Sequence, residues 1–228
     1  MTGKLPKPKA IIFDWDGTII DSLPLVNEAM NAARAVSGKP AQTLEDTQRD
    51  SVLGGEVIFR RDWGDDHWLE ARKLFLDHFL QKHLARFEME EGVGDRPGFM
   101  PGAYALLAWL QGRDDIRCAV LTNRTRVSAG PEIPHLGYEQ LFEIVVCYGE
   151  GPANKPDGAA ALHVLQEMGV TPGADVWLVG DTWGDIACAN QAGLTSILVH
   201  DGAYDHAQRP VLQVRSCAEL LDALQSNP

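Results

Sequence analysis

The chain has 228 residues, 45% of them hydrophobic, and a formal net charge of −12. That apolar share supports a packed core and excludes disorder as the main state, while the length fits one core domain carrying an inserted module. The acidic balance argues against a general nucleic-acid binder, which needs a basic face, and means that an anionic ligand needs positive groups close at hand.

The start, Lys4 to Lys9, is basic and interrupted by proline, but the apolar segment after it is too short and too acidic for a signal sequence. No run reaches the roughly 20 apolar residues of a membrane span, so a cytoplasmic protein without membrane contact is expected. The first strand is read over Ala10–Phe13 and runs directly into Asp14-Trp15-Asp16-Gly17-Thr18. Strand alternation puts Asp14 and Asp16 on one side and Trp15 in the core on the other. Gly17 frees the backbone to turn, and the Thr18 hydroxyl can donate back toward the carboxylates. Two like charges this close call for a cation or a proton between them.

Almost a hundred residues without a strand pattern follow. Leu23–Val36 and His67–Phe87 carry apolar residues at three- and four-residue spacing, as amphipathic helices do. Gly54-Gly55 follows an apolar pair, and Gly92-Val93-Gly94 with Arg96-Pro97-Gly98 punctuates the end. Residues 22–95 are therefore expected to form a helical cap, with 1–21 and 96–228 forming the core. His67, His78 and His83 show no ligand spacing and are expected at the surface, as is the acidic run Glu88–Glu91.

Beyond the cap, helix Ala103–Gln111 leads to strands over Arg117–Thr122, Ile144–Cys147, Val176–Val179 and Ser196–His200, with helices over Gly158–Met168 and Asp185–Gln191 between the later ones. Apolar strands alternating with helices predict an α/β fold, a doubly wound parallel sheet with a Rossmann-like core. Cys118 and Cys147 lie in or beside apolar runs and read as reduced, buried thiols. Arg124 and Arg126 follow the second strand. They are read as solvated loop arginines, with contact to a second anionic group of a ligand as the alternative.

Four clusters fall where an open α/β sheet makes ligand sites, past the carboxyl ends of strands. They are Asp14–Thr18, Leu121-Thr122-Asn123, Lys155-Pro156, and Gly180-Asp181-Thr182-Trp183-Gly184-Asp185. In this order they resemble the four motifs of the haloacid dehalogenase-like hydrolases, and the resemblance covers the core end to end. The segment Asp16 to Pro24 and the later Pro101-Gly102-Ala103 look like the helical-capped, phosphoglycolate phosphatase-like branch.

The resemblance implies a Mg²⁺-dependent phosphatase acting on a small-molecule phosphate monoester through an aspartyl-phosphate, with no nucleic-acid partner. It makes Asp14 the nucleophile and Asp16 the acid and base. It assigns Thr122, Asn123 and Lys155 to the phosphoryl oxygens, with Thr18 beside them in the phosphate site. The carboxylates of Asp14 and Asp181 and the Asp16 carbonyl would supply the metal's oxygen ligands, with Asp185 orienting a metal-bound water or Lys155. Pro156 is expected in the first turn of the following helix. Gly54 and Gly55 resemble the cap's specificity loop, and an ordinary helix-to-helix turn is the alternative. A sugar phosphomutase of the β-phosphoglucomutase type shares the same carboxylates and remains the other enzyme reading. True dehalogenases and phosphonoacetaldehyde hydrolases lack the carboxylate found here at Asp16, and a non-catalytic binding protein would be expected to have lost Asp14, Asp16 or Lys155.

Overall fold

A computed structural model describes residues 5–50, 55–87 and 98–226. In chain order the elements are β1 (Ala10–Phe13), α1 (Leu23–Val36), α2 (Leu44–Asp50), α3 (Gly55–Lys82), α4 (Ala103–Gln111), β2 (Arg117–Leu121), α5 (Arg126–Ala129), α6 (Glu132–His135), β3 (Phe142–Val146), α7 (Gly158–Met168), β4 (Val176–Gly180), α8 (Trp183–Gln191), β5 (Thr195–Val199), β6 (Leu212–Val214) and α9 (Cys217–Gln225). They form two compact units, Met1–Asp21 with Glu91–Pro228, and Ser22–Glu90.

The first unit is built on a six-stranded, all-parallel sheet in the order β3-β2-β1-β4-β5-β6. This is the Rossmann-like order, in which the direction of winding reverses between β1 and β4 and leaves a crevice at their carboxyl ends. β1 is wholly buried because both of its faces are covered, which is why Ala10–Phe13 is apolar throughout. Ala10 and Ile12 pack with Ala119, Leu121, Val176 and Leu178 against Ala160, Val164 and Leu165 of α7 and Cys188 and Ala189 of α8. Ile11, Phe13, Val120 and Val179, alternate along the same strands, are buried on the opposite face.

The second unit is helical. Met30 and Ala33 of α1 pack against Ile58, Phe59, Trp63 and Ala71 of α3. The backbone breaks inside α3 at Gly64 (φ 73°, ψ 171°), a conformation open to glycine at little cost. The break separates residues 55–63, for which no helix of their own was expected within the helical cap, from the later part, whose apolar spacing marks the helix expected from His67. The expected helix also ends early, at Lys82 rather than Phe87. α2 is seven residues of mostly polar character and leaves no apolar stripe to read. Among the described residues, no helix is long and apolar enough to cross a membrane.

Two further expectations are corrected. His83 is not at the surface: it is buried, stacked on Phe79 at 5.6 Å between ring centroids. β6 was missed because three residues at a sheet edge, one of them Gln213, carry too little pattern. His67 is exposed, and His78 is half-buried against Glu28. All four cysteines are free and buried, with burial raising each thiol's pKa above its ordinary range.

Candidate active site

β1 and β4 run side by side with Phe13 opposite Val179, so the residues just past their ends emerge together at the crevice. The Asp14 amide donates to the Val179 carbonyl at 2.8 Å, which extends the ladder by one residue and fixes Asp14 at its rim. Gly17 turns the chain with φ +79°, and a Cβ there would lie 2.4 Å from Asp181 Oδ2. Glycine is thus required twice over, by the backbone angle and by the closeness of the carboxylate. Gly180 makes a similar space: a Cβ on it would sit 2.2 Å from Cγ of Asp185.

In these spaces Asp14, Asp181 and Asp185 each bring a carboxylate oxygen within 4.8 Å of the others. Lys155 reaches them, donating from Nζ to Asp14 Oδ1 at 2.5 Å and to Asp185 Oδ1 at 2.6 Å. Its side chain is 5% exposed, and that of Asp185 is 1% exposed. Asp185 is held on its other oxygen by the amide and hydroxyl of Thr182, at 3.0 and 2.6 Å, at the start of α8. Both of its oxygens therefore accept hydrogen bonds within the protein, one of them from Lys155.

Charge and burial oppose each other here. Burial removes the water that would solvate a carboxylate and, against the pull of Lys155 and with the repulsion of Asp185 and Asp16, raises Asp14 to about 7. Burial, then Asp14 and Asp185, likewise raise Asp181 well above the ordinary carboxylate range. Burial alone would discharge Lys155, but Asp14 and Asp185 outweigh it and raise the ammonium's pKa. Three carboxylates against one ammonium leave the cluster short of positive charge. Hard oxygen donors on Asp14 and Asp181 at this spacing fit a small divalent cation, which would supply it.

Of the remaining predicted residues, Pro156 and Arg124 stand differently from what was expected. Thr18 is fully buried and donates to Asp181 Oδ1 at 3.3 Å, the donation back to a carboxylate expected of its hydroxyl. Thr122 is buried at the end of β2, its amide bonded to Val146 and its Oγ1 accepting from the Arg124 amide at 3.1 Å. The Asn123 amide donates to the Lys155 carbonyl at 2.9 Å, so it braces the loop that carries the lysine. Pro156 does not enter the helix: Asp157 is the N-cap, accepting from the Ala159 amide, and α7 begins at Gly158. Gly54 lies outside the described residues; Gly55 is exposed at the start of α3, with nothing near its Cβ position. The run Glu88–Glu91 also lies outside the described residues.

Arg124 is the largest correction. It is not a solvated loop arginine: its side chain is 16% exposed and pairs with Asp16 Oδ1 at 2.7 Å and with Glu132 Oε1 at 3.0 Å. Glu132, fully buried, also takes the Trp15 indole N–H at 2.7 Å on Oε2. Trp15 is in the core as expected, edge-on to Phe142. Nothing in the local sequence announced Glu132, because its partners lie eight and 117 residues away. Arg126 is exposed and pairs with Glu150 at 2.8 Å.

Comparison with known proteins gives a consistent result. The family model for haloacid dehalogenase-like hydrolases matches residues 8–193. A phosphoglycolate phosphatase from Pseudomonas syringae pv. tomato is 30% identical, covering 92% of this chain and 75% of the relative. One from Chromobacterium violaceum is 29% identical, covering 96% and 97%. The crystal structure of a predicted phosphoglycolate phosphatase from Haemophilus somnus superposes with a TM-score of 0.80 at 22% identity, covering 95% of this chain and 97% of that one.

Proposed function

Since the chain belongs to the haloacid dehalogenase-like hydrolases and is a phosphatase, we propose that it hydrolyses a small phosphate monoester, with phosphoglycolate the first candidate, through a phosphorylated Asp14. The observation that carries this reading is the arrangement of Asp14. It stands at the end of β1, bonded to a buried lysine and within reach of Asp181 and Asp185.

A phosphate monoester is a dianion, so its charge must be met before a carboxylate can attack it. Mg²⁺ held by Asp14, Asp181 and the Asp16 carbonyl would supply much of that neutralisation as a Lewis acid. Lys155, kept charged by Asp14 and Asp185, offers an ammonium to the phosphoryl oxygens, and the Thr122 hydroxyl offers a hydrogen bond. Asp14 attacks phosphorus; its O–P bond forms as the ester P–O bond breaks, and Asp16 gives its proton to the leaving oxygen. Asp16 then takes a proton from the water that attacks the aspartyl-phosphate. The Asp14 O–P bond breaks, and inorganic phosphate and a free Asp14 carboxylate are left.

The choice among phosphoesters is assigned to the helical cap, residues 22–95, with Gly54 and Gly55 as the candidate specificity residues. The four free, buried thiols support the cytoplasmic location expected from the sequence. The test is phosphate release from a panel of small phosphate monoesters, 2-phosphoglycolate included, with Mg²⁺ and with excess chelator. Hydrolysis that stops on chelation is expected. Full turnover of metal-stripped enzyme would overturn the Mg²⁺ assignment, and sugar-phosphate isomerisation without phosphate release would favour the mutase.

A further inference from the structure

The acid/base role proposed for Asp16 needs more than a carboxylate in the neighbourhood. A free carboxylate rotates between conformers, and proton transfer in the transition state depends on one oxygen being placed within hydrogen-bond reach of the leaving atom. The structure contains a strut suited to that task. Trp15 Nε1 holds Glu132 Oε2, Glu132 Oε1 holds Arg124, and Arg124 Nη1 holds Asp16 Oδ1. Arg124 is also tied to Ser128, through Nη2 to its carbonyl and through Nε to its hydroxyl at 3.4 Å. Its guanidinium is thereby committed to protein acceptors, which disfavours the alternative of a contact to a second anionic group of the substrate.

What remains at the end of the strut is Asp16 Oδ2. It is buried and has no hydrogen-bond partner among the described residues. A buried polar oxygen without a partner costs free energy unless something is to meet it, and one oxygen held while the other is left without a protein partner suits a proton shuttle. We propose that Arg124, braced by Glu132 and Trp15, is the positioning residue that fixes Asp16 so that Oδ2 is the oxygen exchanging protons with the leaving group and then with water. The inference rests on the proposed acid/base role of Asp16. Arg124 itself touches no reacting atom.

A planar guanidinium bridging two carboxylates is a job lysine does not reproduce, because an ammonium is a point donor without the rigid fork. Glu132 is fully buried, so removing the arginine alone would strand its charge; Arg124→Met is therefore also made together with Glu132→Gln.

The experiment compares wild type, Arg124→Met, the double variant, Arg124→Lys, Asp16→Asn and Asp16→Asn/Arg124→Met on aryl and alkyl phosphates whose leaving groups span a wide range of basicity. For Arg124→Met and the double variant, kcat is expected to fall by about 10- to 10²-fold with KM little changed, and most steeply for the poorest leaving groups. Arg124→Lys should recover only part of the loss. In the Asp16→Asn background, Arg124→Met should bring no further leaving-group dependence, because the group it positions is gone. If Asp16→Asn shows the leaving-group dependence and neither variant lacking Arg124 does, or if their loss falls on KM, the strut has no positioning role and the proposal is overturned while the acid/base reading stands. If Asp16→Asn itself slows all substrates equally, the acid/base reading fails, and this inference with it.

Discussion

The two units of this protein place charge in opposite ways. At the crevice of the sheet unit the ionic groups are buried and joined over long stretches of chain, Lys155 to Asp14 across 141 residues and Arg124 to Asp16 across 108, while pairs such as Arg126 with Glu150 stay at its surface. In the helical unit most pairs are local or at the surface. Arg60 meets Glu56 one turn away, and Lys82 with Glu28 is half exposed on both sides. Its interior is instead apolar and aromatic, with Phe59, Phe75 and Phe79 in succession along α3. A buried pair repays its desolvation only with good geometry, and breaking it strands a charge, whereas a surface pair is worth little. The sheet unit thus concentrates its most deeply buried charges in one crevice, as a reaction site does, while the helical unit keeps most of its pairs at the surface, Arg34 with Asp62 being more buried.

The sharpest way to break the contrast is Lys155→Met. Asp14 and Asp185 would face each other without their shared cation, so about 3–5 kcal/mol of stability and at least about 10³-fold in kcat/KM should be lost. Denaturant unfolding and steady-state kinetics check both; a stable, active variant would mean that the buried pairs carry no special weight. Gly180→Ala comes next. Its new Cβ meets Asp185 at 2.2 Å and must displace the carboxylate that Lys155 donates to, for an expected loss of about 10²-fold in kcat/KM.

The raised Asp14 pKa gives a pH test of intermediate size. A carboxyl that titrates near 3.8 unfolded and about 7 folded stabilises the fold below 3.8, and that contribution is lost as pH rises through 7. Asp181 acts in the same direction. Metal-free protein should therefore lose stability between pH 5.5 and pH 8, and Mg²⁺, which competes with these protons, should raise Tm about twice as much at pH 8 as at pH 5.5. A Tm shift that is equal at both pH values would separate the metal from these carboxyls. The smallest effect belongs to the helical unit: Glu28→Gln should move Tm by less than about 2 °C and leave kcat/KM unchanged.

The same contrast explains what could be read from the sequence. Asp14, Thr122 and Asp181 end buried strands, and a strand that runs into a polar residue at its carboxyl end is visible without any structure. Asp185 and Lys155 were legible as first-turn and pre-helix residues of the same motifs. Arg124 was not, because an arginine after a strand is usually solvated and its buried partner Glu132 sits in a four-residue helix with no pattern of its own. The donation of Thr18 to Asp181 was legible as a hydroxyl reaching back to a carboxylate, whereas the bond from Asn123 to the Lys155 carbonyl was not, since sequence spacing does not show which way a side chain turns. In the helical unit, periodicity revealed α1 and the later part of α3, while the break at Gly64 and the short polar α2 left no amphipathic signal.

The central claim is that Asp14 carries the phosphoryl group. It is tested most directly by rapidly quenching the enzyme during turnover with a ³²P-labelled monoester and locating the label by peptide mapping. An acid-stable, hydroxylamine-labile phosphate on Asp14 is expected in the wild type, with none in Asp14→Asn, whose amide is no nucleophile. Label that persists in Asp14→Asn, or that maps to another residue in the wild type, would contradict the account.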